Sequence, residues 1–171
     1  MTKLTLLAAA AAVLTAVPAA AHDHKAGHSA AVAAKSQRCA AIAANASTTL
    51  FNQFNSAWAT RNPDRVTDLF SRDAVLLATV SNTPRTDRAG IRDYFVTFLK
   101  NNPVGTINTS NVRPGCNMLT NVGTWTVQLT DAATGTKSDV KARYSFIYKY
   151  ENGAWKIAHL HSSMMPEKQG S

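Results

Sequence analysis

The stretch Trp155-Lys-Ile-Ala-His-Leu-His-Ser-Ser-Met-Met-Pro166 carries both histidines of the chain beyond position 28. Read as a strand with strict alternation, it sends Trp155, Ile157, His159, His161 and Ser163 to one face. That face begins aromatic and apolar and ends in two imidazoles and a hydroxyl. Imidazole is the side chain that ordinarily titrates nearest neutral pH, so proton transfer or ligand binding is the chemistry to look for. The plain alternative is a hydrogen-bonded pair that only packs a strand end.

The elements that must hold these groups begin well inside the chain. Lys3, the apolar run Leu4 to Val17 and Ala19-Ala20-Ala21 read as a secretory leader over residues 1–21, with His22 as the mature N-terminus. Export to the periplasm or beyond follows as an expectation. Residues 22–37 are small and polar and read as a flexible tail holding His22, His24 and His28. A free amine followed by histidine at the third position suits square-planar Cu(II) or Ni(II), so these three are weak metal candidates. Residues 38–171 remain as one domain with a single core.

Charge narrows the partners. Eighteen basic residues stand against ten acidic ones, a formal +8 at pH 7. They are spread along the chain with no basic stripe interleaved with aromatics, which argues against nucleic acid. A positive field draws in a small anion instead. Beyond the leader no segment approaches the length of a membrane span. Cys39 and Cys116 are the only cysteines, and in an exported chain such a pair most simply forms one disulfide; two buried thiols are the alternative.

Leu50, Phe51, Phe54, Ala57 and Trp58 recur at helical spacing and predict a long amphipathic helix from about Ala46. Asn62-Pro63-Asp64 starts a short second helix, with Asn62 as cap and Pro63 at the first helical position. Ala74 to Val80 reads as an apolar strand. A third helix from about Asp87 to Lys100 buries Ile91, Tyr94, Phe95, Phe98 and Leu99. Strands follow at Thr106 to Val112, Met118 to Asp131 and Val140 to Tyr150, and Asn152-Gly153 turns the chain into the histidine strand. The fold class is therefore α+β: a curved antiparallel sheet packed on a long N-terminal helix and two further helices, enclosing a pocket. The histidine face is expected to look into that pocket.

This order of elements resembles the cone-shaped nuclear-transport-factor-2-like superfamily. Ala142-Arg-Tyr-Ser-Phe-Ile-Tyr148, Gly153-x-Trp155 and the His-x-His-Ser ending resemble the association domain of calcium/calmodulin-dependent kinase II. Within that group, His159-Leu-His-Ser-Ser-Met-Met-Pro166 is similar to the His-His-Ser-Ser-x-Met-Pro-like signature of the iota-class carbonic anhydrases, which are often exported. Val80-Ser-Asn-x-Pro-Arg-Thr86, Ile91-Arg-Asp-Tyr-Phe95 and Gly115-Cys-Asn117 add to the likeness, which covers about residues 46–167. The chain departs at Leu160, where many members carry histidine. Alternation turns position 160 away from the His159/His161/Ser163 face, so the loss is expected to affect the opposite surface or a dimer contact.

The resemblance implies reversible hydration of carbon dioxide to bicarbonate. Zinc usually makes this chemistry possible by acidifying a bound water. Here the body of the chain has only His159 and His161, so a third ligand must come from an acidic residue such as Asp73, the tail or another subunit. A site with no obligatory metal is therefore expected, with zinc the one cofactor the chemistry would admit. The family's hydroxyl-lined pocket maps onto Thr79, Tyr94 and Ser163. His161 is the candidate for polarising water or relaying its proton, and Arg143 with His159 for holding bicarbonate. Tyr94 as core, Thr79 as a strand former and Arg143 paired with Asp73 are the structural alternatives. A homodimer through the outer sheet face is expected of this scaffold. A non-catalytic exported binding or oligomerisation module is the competing function. A ring isomerase is disfavoured, because the first helix offers no tyrosine.

Overall fold

Phe51, Phe54, Ala57 and Trp58 form the buried stripe of α1, Ala46–Ala59. The computed structural model describes residues 39–166. The leader, its cleavage point and the tail histidines His22, His24 and His28 lie outside them. A short α2, Pro63–Thr67, starts at Asn62, whose side-chain oxygen accepts from the backbone N–H groups of Asp64 and Arg65. Strand β1, Phe70–Leu77, leads through a loop to α3, Arg88–Phe98, capped by Asp87, which accepts from Gly90 N–H at 2.8 Å. A 3₁₀ turn, Leu99–Asn101, ends that helix. Four strands complete the chain: β2 Val104–Gly115, β3 Met118–Thr130, β4 Lys137–Glu151 and β5 Ala154–Met164.

The sheet order is β1-β5-β4-β3-β2. β2 to β5 form an antiparallel meander, whereas β1 pairs parallel with β5, so the sheet is mixed at that edge. Asn152 and Gly153 both take positive φ in the β4–β5 turn, the geometry that a two-residue hairpin needs. α1 and α3 cover one sheet face. Phe54 is wholly buried and meets Phe146 with ring centroids 5.4 Å apart, and Phe51 and Trp58 approach Trp125 at 6.2 and 5.8 Å. Each such side chain contributes about 1.5–3 kcal/mol by burial.

Cys39 and Cys116 are joined as a disulfide across 77 positions. It ties the segment before α1 to the β2–β3 turn, where Ala40 N–H also donates to Asn117 Oδ1 at 2.7 Å. A disulfide fits an oxidising compartment. Among the described residues no helix is long and apolar enough to cross a membrane.

Candidate active site

Strict alternation fails on β5 at Ala158. Tyr148 pairs with Ile157, but Ile147 pairs with His159, so Ala158 is an extra residue with no partner on β4. The bulge reverses the phase of everything after it. Ile157, Leu160 and Ser162 are buried, while His159 and Ser163 are half-buried and His161 is exposed. The expectation that His159, His161 and Ser163 look into the pocket is therefore corrected: they occupy the outer face. The expectation for Leu160 is corrected with it, since Leu160 lines the pocket. Two large apolar residues three apart, Ile157 and Leu160, were the signal for this bulge.

The pocket lies between the covered sheet face and α3. Trp58, Thr79, Tyr94, Trp125, Leu160 and Ser162 are among its lining residues, and the rest of the wall is apolar. Its volume is about 20 Å³. That is room for about one water-sized molecule. Thr79 and Tyr94, expected from the sequence, do meet here. Ser162 and the Trp125 indole, which the sequence reading did not assign to the site, complete the polar wall.

Ser162 Oγ is the hub of that wall. Thr79 Oγ1 donates to it at 2.5 Å and Trp125 Nε1–H at 3.0 Å. Two incoming donors occupy the hydroxyl's acceptor sites and leave its own proton to donate elsewhere. Thr79, having given its proton to Ser162, keeps lone pairs free to accept. The Trp58 Nε1–H is buried with no hydrogen-bond partner among the described residues. Tyr94 stacks on Phe98 at 5.2 Å, and burial pushes its phenol well above the usual range, opposed in part by the Arg85 charge. It is a neutral O–H donor.

On the outer face, Ser163 lies opposite Arg143, whose guanidinium donates to the Met164 carbonyl at 3.4 Å. Arg143 is thus away from the pocket, and it does not pair with Asp73, which is held by Lys149 at 2.5 Å. His159 and His161 rings are 6.5 Å apart. Burial, and then the neighbouring His161, holds the His159 imidazole below its usual range. Among the described residues no three His, Cys, Asp or Glu side chains gather to hold a metal ion. His161 and Ser163 instead border an outer groove of about 340 Å³ that Thr79 and Ser162 also line.

The family model of the calcium/calmodulin dependent protein kinase II association domain matches residues 43–166. A solved structure from Xanthomonas campestris, described as such a domain, is 43% identical over 77% of this chain and 96% of its own, with a TM-score of 0.70. A nuclear transport factor 2 (NTF2-like) superfamily protein from Salmonella enterica is 17% identical over 72% of this chain and 90% of its own, at a TM-score of 0.61. A protein from Novosphingobium aromaticivorans described as a scytalone dehydratase is 11% identical over 71% of this chain and 83% of its own, at 0.62. The last two show the fold alone. No curated protein matches the chain. With the model spanning most of the body and the Xanthomonas relative close to half identical, this chain belongs to the calcium/calmodulin dependent protein kinase II association domain family, on a nuclear-transport-factor-2-like α+β fold.

Proposed function

We propose that the chain is an exported carbonic anhydrase of the iota-class type, and that it converts carbon dioxide and water to bicarbonate and a proton in the Thr79–Tyr94–Ser162–Trp125 pocket. One observation carries the reading: a hydroxyl cluster with one free proton and one free acceptor is set in the wall of an apolar pocket of about 20 Å³. Apolar walls suit carbon dioxide. Thr79 Oγ1, which also lines the outer groove, accepts from the attacking water at that boundary and makes its oxygen more nucleophilic, so the pocket itself holds carbon dioxide alone. Ser162 and Tyr94 donate to the carbon dioxide oxygen on which negative charge develops, held in place before the reaction begins.

The water oxygen bonds to carbon, one carbon–oxygen π pair moves to the outer oxygen, and the water proton leaves. The groove shared by Thr79, Ser162 and His161 is its route outward. His161 borders that groove and keeps the relay role from the outer side. Ser163 and Arg143 have no part in this mechanism. The pocket volume also argues against ring-sized substrates of the dehydratase kind.

The competing reading is a non-catalytic association module, which draws on the family description. In either reading a homodimer through the outer sheet face is proposed. Stopped-flow carbon dioxide hydration after exhaustive chelation, with and without added Zn(II), separates the two. Activity that survives chelation is expected. Activity only with Zn(II) would keep the enzyme and remove the hydroxyl mechanism, and no activity in either condition would favour the module.

A further inference from the structure

A second chamber adjoins the pocket. Ser81, Arg85, Asp93, Tyr94, Thr97 and Asn101 give a groove of about 270 Å³ beside α3 its polar lining, one carboxylate among them. Val80, Tyr94 and Phe98 line both the groove and the pocket, so the two share a wall. The chamber is more than ten times the pocket's volume and has a more polar lining. Carbon dioxide suits the inner space; a hydrated oxyanion suits the outer one.

Arg85 is held in place there by its backbone. Its N–H donates to the Leu76 carbonyl at 2.9 Å, and its carbonyl accepts from Leu76 N–H at 2.8 Å, a single bridge that fixes the loop against β1. The aliphatic stem crosses Gly90 on the first turn of α3, with Cδ 3.5 Å from where a Cβ at that glycine would stand. The Nε–H is buried and has no hydrogen-bond partner among the described residues. Asp68 is held by Arg88 and Asp64 by Arg92 at 2.6 Å, which leaves Asp93 as the carboxylate lining the groove. Among the described residues Asp93 forms no ion pair with Arg85. A charged donor left in this state is costly unless something accepts from it.

We propose that this groove is an anion site in which Arg85 binds a small planar oxyanion, and that bicarbonate occupies it on its way to or from the pocket. The guanidinium fork matches a planar oxyanion through two parallel N–H groups, and it lies close enough to Tyr94 for its charge to act on the phenol. Thr97 on α3 offers a hydroxyl for the third oxygen, and Asn101 in the following 3₁₀ turn offers the amide N–H that its bond to the Phe98 carbonyl leaves over. The bicarbonate part of the proposal rests on the carbonic anhydrase reading; the anion site does not. This assigns to Arg85 the role that the sequence had given to Arg143 and His159.

The test uses the ¹⁵N-labelled protein and follows the Arg85 Nε–H resonance while nitrate, and separately bicarbonate, is added. A saturable shift with both anions is expected. Arg85→Leu should raise the KM for bicarbonate dehydration by about tenfold, the loss of one charged hydrogen bond, and move the KM for carbon dioxide less than twofold. Arg85→Lys should recover part of the loss. An unmoved resonance in a protein that hydrates carbon dioxide would overturn the anion site and leave the enzyme standing. A saturable shift in a protein inert toward carbon dioxide would uphold the site for oxyanions and overturn its assignment to bicarbonate turnover.

Discussion

Thr79 Oγ1 donates to Ser162 Oγ at 2.5 Å, linking the residue just past β1 to the inward face of β5 across 83 positions. The contact exists only because Ala158 bulges out of the β4–β5 pairing and turns Ser162, not Ser163, toward the pocket. Both the arrangement of the fold and the proposed chemistry therefore depend on one unpaired residue.

Tyr94→Phe should keep the fold and lose activity. The ring stacks on Phe98 and keeps that contact as phenylalanine, while the hydroxyl donor disappears. Loss of one such donor should lower the hydration rate about 10- to 100-fold. Because burial keeps the phenol protonated, the wild-type rate should show no alkaline loss from Tyr94 between about pH 6 and 9. Stopped-flow pH profiles of both proteins check this; equal rates would remove Tyr94 from the site.

Gly123→Ala tests the sheet that carries Trp125. A Cβ at Gly123 would stand 1.9 Å from the Thr109 carbonyl oxygen and 2.7 Å from its carbon, both backbone atoms beside the Ile107–Thr109 irregularity in β2. Backbone cannot move aside as a side-chain end can. Chemical denaturation should show a loss of about 3 kcal/mol. A loss under about 0.5 kcal/mol would mean that β2 and β3 do not approach in this way.

The disulfide should matter more than any single surface contact. Closing a loop across 77 positions restricts the unfolded chain, and Cys116→Ser should lower stability by about 4 kcal/mol on the chain-entropy model. Urea unfolding of the variant beside the oxidised wild type measures it. Equal midpoints would show that the bridge does not form in the folded protein.

Much of this architecture was legible in the chain. The Leu50–Trp58 stripe, the Asn62-Pro63 start and the Asn152-Gly153 turn each act through neighbours a few residues away, so local sequence carries them. The parallel pairing of β1 with β5 is a long-range choice with no local marker. The site was half legible. Thr79 and Tyr94 meet in the pocket as expected, but Ser163, His159, His161 and Arg143 lie on the other face. Alternation propagates any phase error along a whole strand, and a bulge at alanine leaves no glycine or proline to announce it. Only the three-residue spacing of Ile157 and Leu160 betrayed it.

His159 gives the outer face a pH signature. Burial, with His161 second, holds its imidazole below the ordinary 6.5, so the unfolded chain takes up the proton first. The resulting stability is fully present above about pH 6.5 and is lost as pH falls toward the folded titration point. The urea midpoint should be lower at pH 5 than at pH 7, and His159→Gln should flatten that difference. An unchanged slope in the variant would place the acid sensitivity elsewhere.

The most direct measurement is stopped-flow carbon dioxide hydration by Ser162→Ala and Ser163→Ala, with circular dichroism confirming that both fold. The account predicts a loss of about 10- to 100-fold for Ser162→Ala, whose hydroxyl joins Thr79 and Trp125, and a change under about twofold for Ser163→Ala. The reverse pattern, an inactive Ser163→Ala beside an active Ser162→Ala, would contradict the inward serine and the pocket built on it.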